Sequence, residues 1–139
     1  MKHHQALLTV QTSPKCLHRI TRQVANVVEQ AHIETGLCTV FIRHTSASLI
    51  IQENADPNVL GDLNSFFAKL VPEDSSLYAH SDEGPDDMPS HIRSVLTKTS
   101  EQIPVSRGQL VLGTWQGIYV WEHRSLRHHR EIVVHVNGV

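Results

Sequence analysis

Apolar residues recur along this chain at two spacings, and each change of spacing marks a new element. Residues 5–12 read as a first strand that stops before Pro14. Between residues 16 and 34, apolar side chains at Leu17, Ile20, Val24, Val27, Val28 and Ala31 follow helical spacing. Gly36 is placed as the stop of that helix. Two β-rich runs follow, over 37–43 and 48–52, separated by the small polar segment His44-Thr45-Ser46-Ala47. Asp56 as N-cap and Pro57 at the first helical position then open a helix over 58–70, which ends before Pro72. Residues 73–90 are polar, acidic and rich in Ser, Gly and Pro, and long loops in compact domains are often functional. A short helix is expected over 89–98, started by Asp86 or Asp87. Four strands close the chain, around 103–105, 109–113, 117–122 and 131–136, with Ser106-Arg107-Gly108 as a hairpin turn. This order predicts an α+β fold: one compact domain over 1–139, a β-sandwich-like and mostly antiparallel core, and two to three helices.

Composition narrows the function classes. The net charge of −2 lacks the basic excess of a nucleic-acid footprint. No apolar run approaches the roughly 20 residues that span a bilayer, and the start of the chain carries no apolar core of signal-peptide length. A soluble cytoplasmic protein is the expectation, with neither nucleic acid nor membrane as partner. Cys16 and Cys38 make no disulfide framework, and Cys38 reads as a small buried hydrophobe. Histidine is the outlier, with 11 copies.

Three polar clusters hold the candidate chemistry: His44-Thr45-Ser46 with residues 52–56, the stretch from His80 to His91, and Gly113-Thr114-Trp115-Gln116-Gly117 leading to Glu122-His123-Arg124. Three histidines on one metal leave a fourth position open, as catalytic zinc requires. His80 in the loop, His91 on the helix after it and His44 at a strand end form one such set. Asp87, four residues before His91, would orient that imidazole from behind. The plainer reading is surface histidines around a solvated acidic loop. Asp56 reads as an N-cap before it reads as an acid catalyst, and Trp115 as a core or interface aromatic. His123 beside Arg124 suits an anionic ligand, a carboxylate partner or a solvated strand end. His128 and His129 precede a strand whose residues alternate faces, so they do not share one site.

Taken together, His-Thr-Ser-Ala-Ser-Leu and Gln-Glu-Asn-Ala-Asp-Pro (44–57), Glu-Gly-Pro-Asp-Asp-Met-Pro-Ser-His-Ile (83–92) and Leu-Gly-Thr-Trp-Gln-Gly-Ile (112–118) resemble the YjbQ family. That family is often labelled "secondary thiamine-phosphate synthase enzyme". The resemblance implies a compact α+β fold with a sandwich-like core, assembled as a homotrimer. It places the family's histidines at His44, His80 and His91 as metal ligands, with Asn54, Asp56, Glu83 and Gln116 as polar neighbours and an acidic residue at Glu122. The expected cofactor is a divalent metal, with zinc first in order. The expected activity is that of an enzyme on a small phosphorylated metabolite, thiamine-phosphate synthesis being the named candidate. In that scheme Glu83 or Asp56 acts as general base or orients water, and Arg43, Arg124 or Arg127 binds phosphate oxygens. The alternatives are a non-catalytic trimer that binds metal or an anion, and a metal-assisted hydrolase with Glu83 as base.

Overall fold

Which face each strand buries follows from its alternation. In β1 (Lys2–Gln11), Ala6, Leu8 and Val10 turn inward between more exposed neighbours. The computed structural model, which describes all residues from Met1 to Val139, pairs β1 antiparallel with β8 (His129–Gly138) along its whole length. β8 pairs in turn with β3 (Thr35–Ile42), β3 with β5 (Ser100–Ser106), and β5 with the short β6 (Gln109–Leu110). The result is a five-stranded sheet of order β1-β8-β3-β5-β6. β2 (Leu17–Arg19), β7 (Gln116–Glu122) and β4 (Ala47–Glu53) form a second antiparallel sheet, with β7 in the middle. Three α-helices complete the fold: α1 (Thr21–Ala31), α2 (Pro57–Leu70) and α3 (Asp87–Leu96). The expected α+β class with a mostly antiparallel core is therefore present.

One core lies between these layers. Val40 and Ile42 of β3, Ile103 of β5, and Ile132, Val134 and Val136 of β8 meet Leu49 of β4 and Ile118 and Val120 of β7. The α1 stripe of Val24, Val27, Val28 and Ala31 covers the rest. Burying each such side chain contributes about 1.5–3 kcal/mol. β7 is buried on both faces, because Tyr119 and Trp121, outside the core cluster, are buried too, Trp121 against α2. There the Phe67 ring meets Trp121 edge-on at 4.9 Å, and Trp121 Nε1 donates to Asn64 Oδ1 at 3.0 Å. Cover on both sides explains why this strand reads as a continuous apolar run. No helix is long and apolar enough to cross a membrane.

Five sequence expectations need correction. The periodicity over 16–34 runs across two elements: Leu17–Arg19 is strand, and the helix begins at Thr21. That helix ends at Ala31, with His32 in the left-handed region at φ 50°. Gly36 therefore stops no helix. It lies in β3 where a Cβ would stand 2.0 Å from the Asn137 carbonyl oxygen, so only glycine lets β8 approach. The strand expected over 109–113 is just Gln109–Leu110, and the last helix spans Asp87–Leu96 rather than 89–98. Trp115 is no core residue, being 62% exposed at the tip of its loop.

Candidate functional site

Helical spacing puts Asp87 and His91 one turn apart on the same face of α3. The loop before α3 brings His80 to that face. Asp87 Oδ2 lies 2.5 Å from His80 Nε2 and 3.4 Å from His91 Nε2. All three donor atoms lie within 4.8 Å of one another. On the far side of the His91 ring, Nδ1 is 2.9 Å from the Thr45 carbonyl oxygen. A carbonyl only accepts, so Nδ1 carries the hydrogen and the lone pair of the neutral ring sits on Nε2. Two acceptors, that nitrogen and the Asp87 carboxylate, then face each other and repel unless a proton or a cation lies between them.

Asp87 is held from behind. Arg124 donates from Nη1 to Asp87 Oδ1 at 2.9 Å and from Nε to Asp86 Oδ2 at 2.9 Å. Its Nη2 reaches the Glu83 carbonyl at 3.0 Å, and the Ser125 N–H donates to Asp86 Oδ2 at 2.8 Å. Asp86 thus makes no side-chain cap for α3; its carboxylate anchors the loop after β7 instead. Burial works to raise the Asp87 pKa, but the His80 hydrogen bond and the Arg124 charge outweigh it and hold the carboxyl below its usual range. The carboxylate stays ionised, as a ligand must.

The structure separates the other candidates. His44 does not join His80 and His91. Its Nε2 accepts from the Glu131 N–H at 2.8 Å, and its Nδ1 faces Arg130 Nη1 at 3.4 Å. Burial, then the Arg130 charge, lower its pKa. The chain turns after β3 so that the His44 ring lies against β8, and this segment reaches the cluster through the Thr45 carbonyl. Asp56 caps α2 by accepting from the Asn58 N–H at 2.9 Å. Glu83 borders the cluster through its backbone carbonyl, which accepts from Arg124 Nη2. Asn54 and Gln116 brace the 113–116 loop, Asn54 donating to the Thr114 carbonyl and Gln116 Oε1 accepting from the Gly113 N–H. No hydrogen bond joins them to the histidines.

Sequence reasoning placed Asp87 behind His91, whereas it stands in front and Thr45 takes the rear position. The i,i+4 spacing showed that the two residues meet but not on which side of the ring. It also missed two buried polar pairs. Glu122, fully buried, accepts from Arg130 Nε at 2.8 Å and from the Thr12 hydroxyl at 2.6 Å. His123 is no solvated strand end: it is buried, with Nε2 2.8 Å from Ser48 Oγ. Burial, then the Arg93 charge, push its pKa down to about 3, so the ring is neutral.

A family model described as "UPF0047 protein YjbQ-like" matches residues 6–139. The chain belongs to the YjbQ/UPF0047 family. Among YjbQ-like relatives, a UPF0047 protein from Synechocystis sp. is 61% identical over 137 residues, 99% of this chain and 93% of its own. YjbQ from Salmonella typhimurium is 42% identical over 136 residues, 97% of this chain and 98% of its own. A solved YjbQ/UPF0047 protein from Clostridium acetobutylicum gives a TM-score of 0.87 at 32% identity, covering 95% of this chain and 99% of its own. A protein from Aeropyrum pernix gives a TM-score of 0.88 at 25% identity, covering 97% of this chain and 98% of its own. Two of the three YjbQ motif segments meet at the cluster: 44–57 through Thr45, and 83–92 through Asp87 and His91. The third, 112–118, packs with Asn54.

Proposed function

We propose that this YjbQ-family chain binds a divalent metal, zinc first in order, through His80 Nε2, Asp87 Oδ2 and His91 Nε2, and acts on a small phosphorylated metabolite. The observation that carries the reading is the Thr45 carbonyl behind His91. It fixes the tautomer with the lone pair facing Asp87, and ligating histidines are commonly supported in this way. Two imidazoles and a carboxylate are a zinc donor set, and three protein ligands leave room for a substrate atom. A bound cation would supply positive charge toward a phosphoryl oxygen or a departing diphosphate. The chain's own residues do the rest. Arg124 keeps Asp87 ionised and in place, and Glu83 is the carboxyl set to accept a proton.

Thiamine-phosphate synthesis remains the named candidate for the activity. A non-catalytic metal-binding protein is the second reading, since the donor set of His80, Asp87 and His91 suffices for it without any base. The proposal includes a cytoplasmic homotrimer. In support, α2 buries none of its residues and leaves Phe66 and Leu70 more than half exposed, apolar surface that a second copy would cover. Both cysteines are free, which suits a reducing compartment.

The test is elemental analysis and zinc titration of protein stripped with chelator. One zinc per chain is expected, with affinity falling at least about tenfold in His91→Ala and Asp87→Asn and holding in His44→Ala. A wild type without stoichiometric zinc, or a His91→Ala variant that binds like wild type, would sink the site. Glu83→Gln then separates the two readings, because an enzyme keeps its metal and loses turnover.

A further inference from the structure

The β1–β8 ladder ends where Gln11 stands opposite His129, and a recess of about 310 Å³ opens there. Its lining is Gln11, Thr12, Ser13, Arg127, His128 and His129, without one hydrophobic side chain. The walls are fixed to each other. The Thr12 N–H donates to the His128 carbonyl at 2.8 Å, and the His128 N–H donates to Thr12 Oγ1 at 3.1 Å.

Charge decides what such a recess can hold. Arg43 pairs with Glu131, Arg93 with Glu73, Arg124 with Asp86 and Asp87, and Arg130 with Glu122. Arg127 has no carboxylate partner, and it lines the recess. The acid beneath, Glu122, is already matched by Arg130 and by the Thr12 hydroxyl, so the floor presents no free negative charge. His128 is anchored through Nδ1 to the Leu126 carbonyl at 2.9 Å, which leaves its Nε2 to the surroundings. The Ser13 hydroxyl makes no internal hydrogen bond, so it too can donate. A planar guanidinium fork beside the free Ser13 hydroxyl suits a tetrahedral oxyanion, and the His128 Nε2 lone pair can accept the hydrogen of a protonated phosphate oxygen.

We infer that this recess binds a phosphate group, with Arg127 as its principal contact. The site is distinct from the His80, Asp87 and His91 cluster and does not depend on a metal there. The two share the loop after β7: Arg124 at its start braces Asp86 and Asp87, and Arg127 is three residues further on. Their Cα atoms are therefore at most about 11 Å apart. A phosphorylated ligand held by Arg127 would lie along the rim that carries the cluster.

The test uses the full chain stripped of metal, so that phosphate held by a cation is not counted. Inorganic phosphate is titrated by calorimetry in a chloride background, with methyl phosphate as a second probe. Saturable binding of one phosphate per chain is expected, weakened about tenfold or more in Arg127→Ala and partly retained in Arg127→Lys. Arg127 is exposed, so the variants should fold, and circular dichroism checks that they do. Methyl phosphate binding as well as phosphate points to a monoester, and phosphate alone to the free ion; either supports the site. Arg22→Ala, which removes an arginine without a partner on α1, should leave binding intact. Binding lost in Arg22→Ala but kept in Arg127→Ala overturns the inference. So does the absence of saturation at tens of millimolar phosphate.

Discussion

Glu122 has no contact with water and holds its charge only because Arg130 and Thr12 surround it. Burial alone would raise its pKa, yet these donors keep the carboxyl below its usual range. Arg130 in turn donates from Nη2 to Ser46 Oγ at 3.0 Å, tying the β3–β4 turn to β8. Arg130→Ala should therefore cost about 3–5 kcal/mol, because it strands a buried carboxylate. Urea denaturation checks this, and a loss under about 1 kcal/mol would show that the pair contributes little. At this scale the sequence was legible only in part. That Asp87 and His91 meet follows from helical spacing. The place of His44 does not, because it depends on how the chain turns after β3 and on which strand lies beside it. The Glu122–Arg130 pair left no local signal either, since it spans the turn between two strands.

Among the elements, the strands were easier to read than the helix starts. Apolar patterning located β1, β3, β4, β5, β7 and β8 to within a few residues, as alternation or, in β7, as a continuous run. Helical spacing misled over 17–20, where Leu17 and Ile20 happen to continue the α1 stripe while the backbone pairs with β7. Composition alone misassigned Gly36, because a glycine that ends a helix and one that admits a neighbouring strand look the same. The two roles predict different outcomes. Gly36→Ala should cost roughly 3 kcal/mol or more, since the Asn137 backbone must move to admit the methyl group. Hydrogen exchange should show faster amides along the β3–β8 ladder first. Unchanged protection there would mean that the strands separate without strain.

Across the whole molecule, acid sensitivity should carry a histidine signature. The folded pKa of His123, about 3, lies below the 6.5 of a free imidazole. Between those values the unfolded chain binds a proton that the folded chain refuses, so stability falls as pH drops through 6.5. His123 alone should remove about 2 kcal/mol by pH 5. His44, also lowered, acts in the same direction. Glu122, Asp86 and Asp87 are depressed carboxylates, and their contribution is lost only at lower pH, as it falls through their folded pKa values. Urea midpoints measured from pH 6.5 to pH 5 should decline steeply in wild type and less steeply in His123→Gln. Parallel declines would show that the buried ring takes up its proton without unfolding.

The position of β8 has a consequence for synthesis. It is made after every other strand, yet it belongs between β1 and β3, pairing with both. Until residues 129–138 leave the ribosome, β1 and β3 each present an unpaired edge to the cell. Such edges recruit strands from other chains. Slow translation near the end of this segment should therefore favour aggregation, and a chaperone that shields β1 should matter most just before β8 emerges.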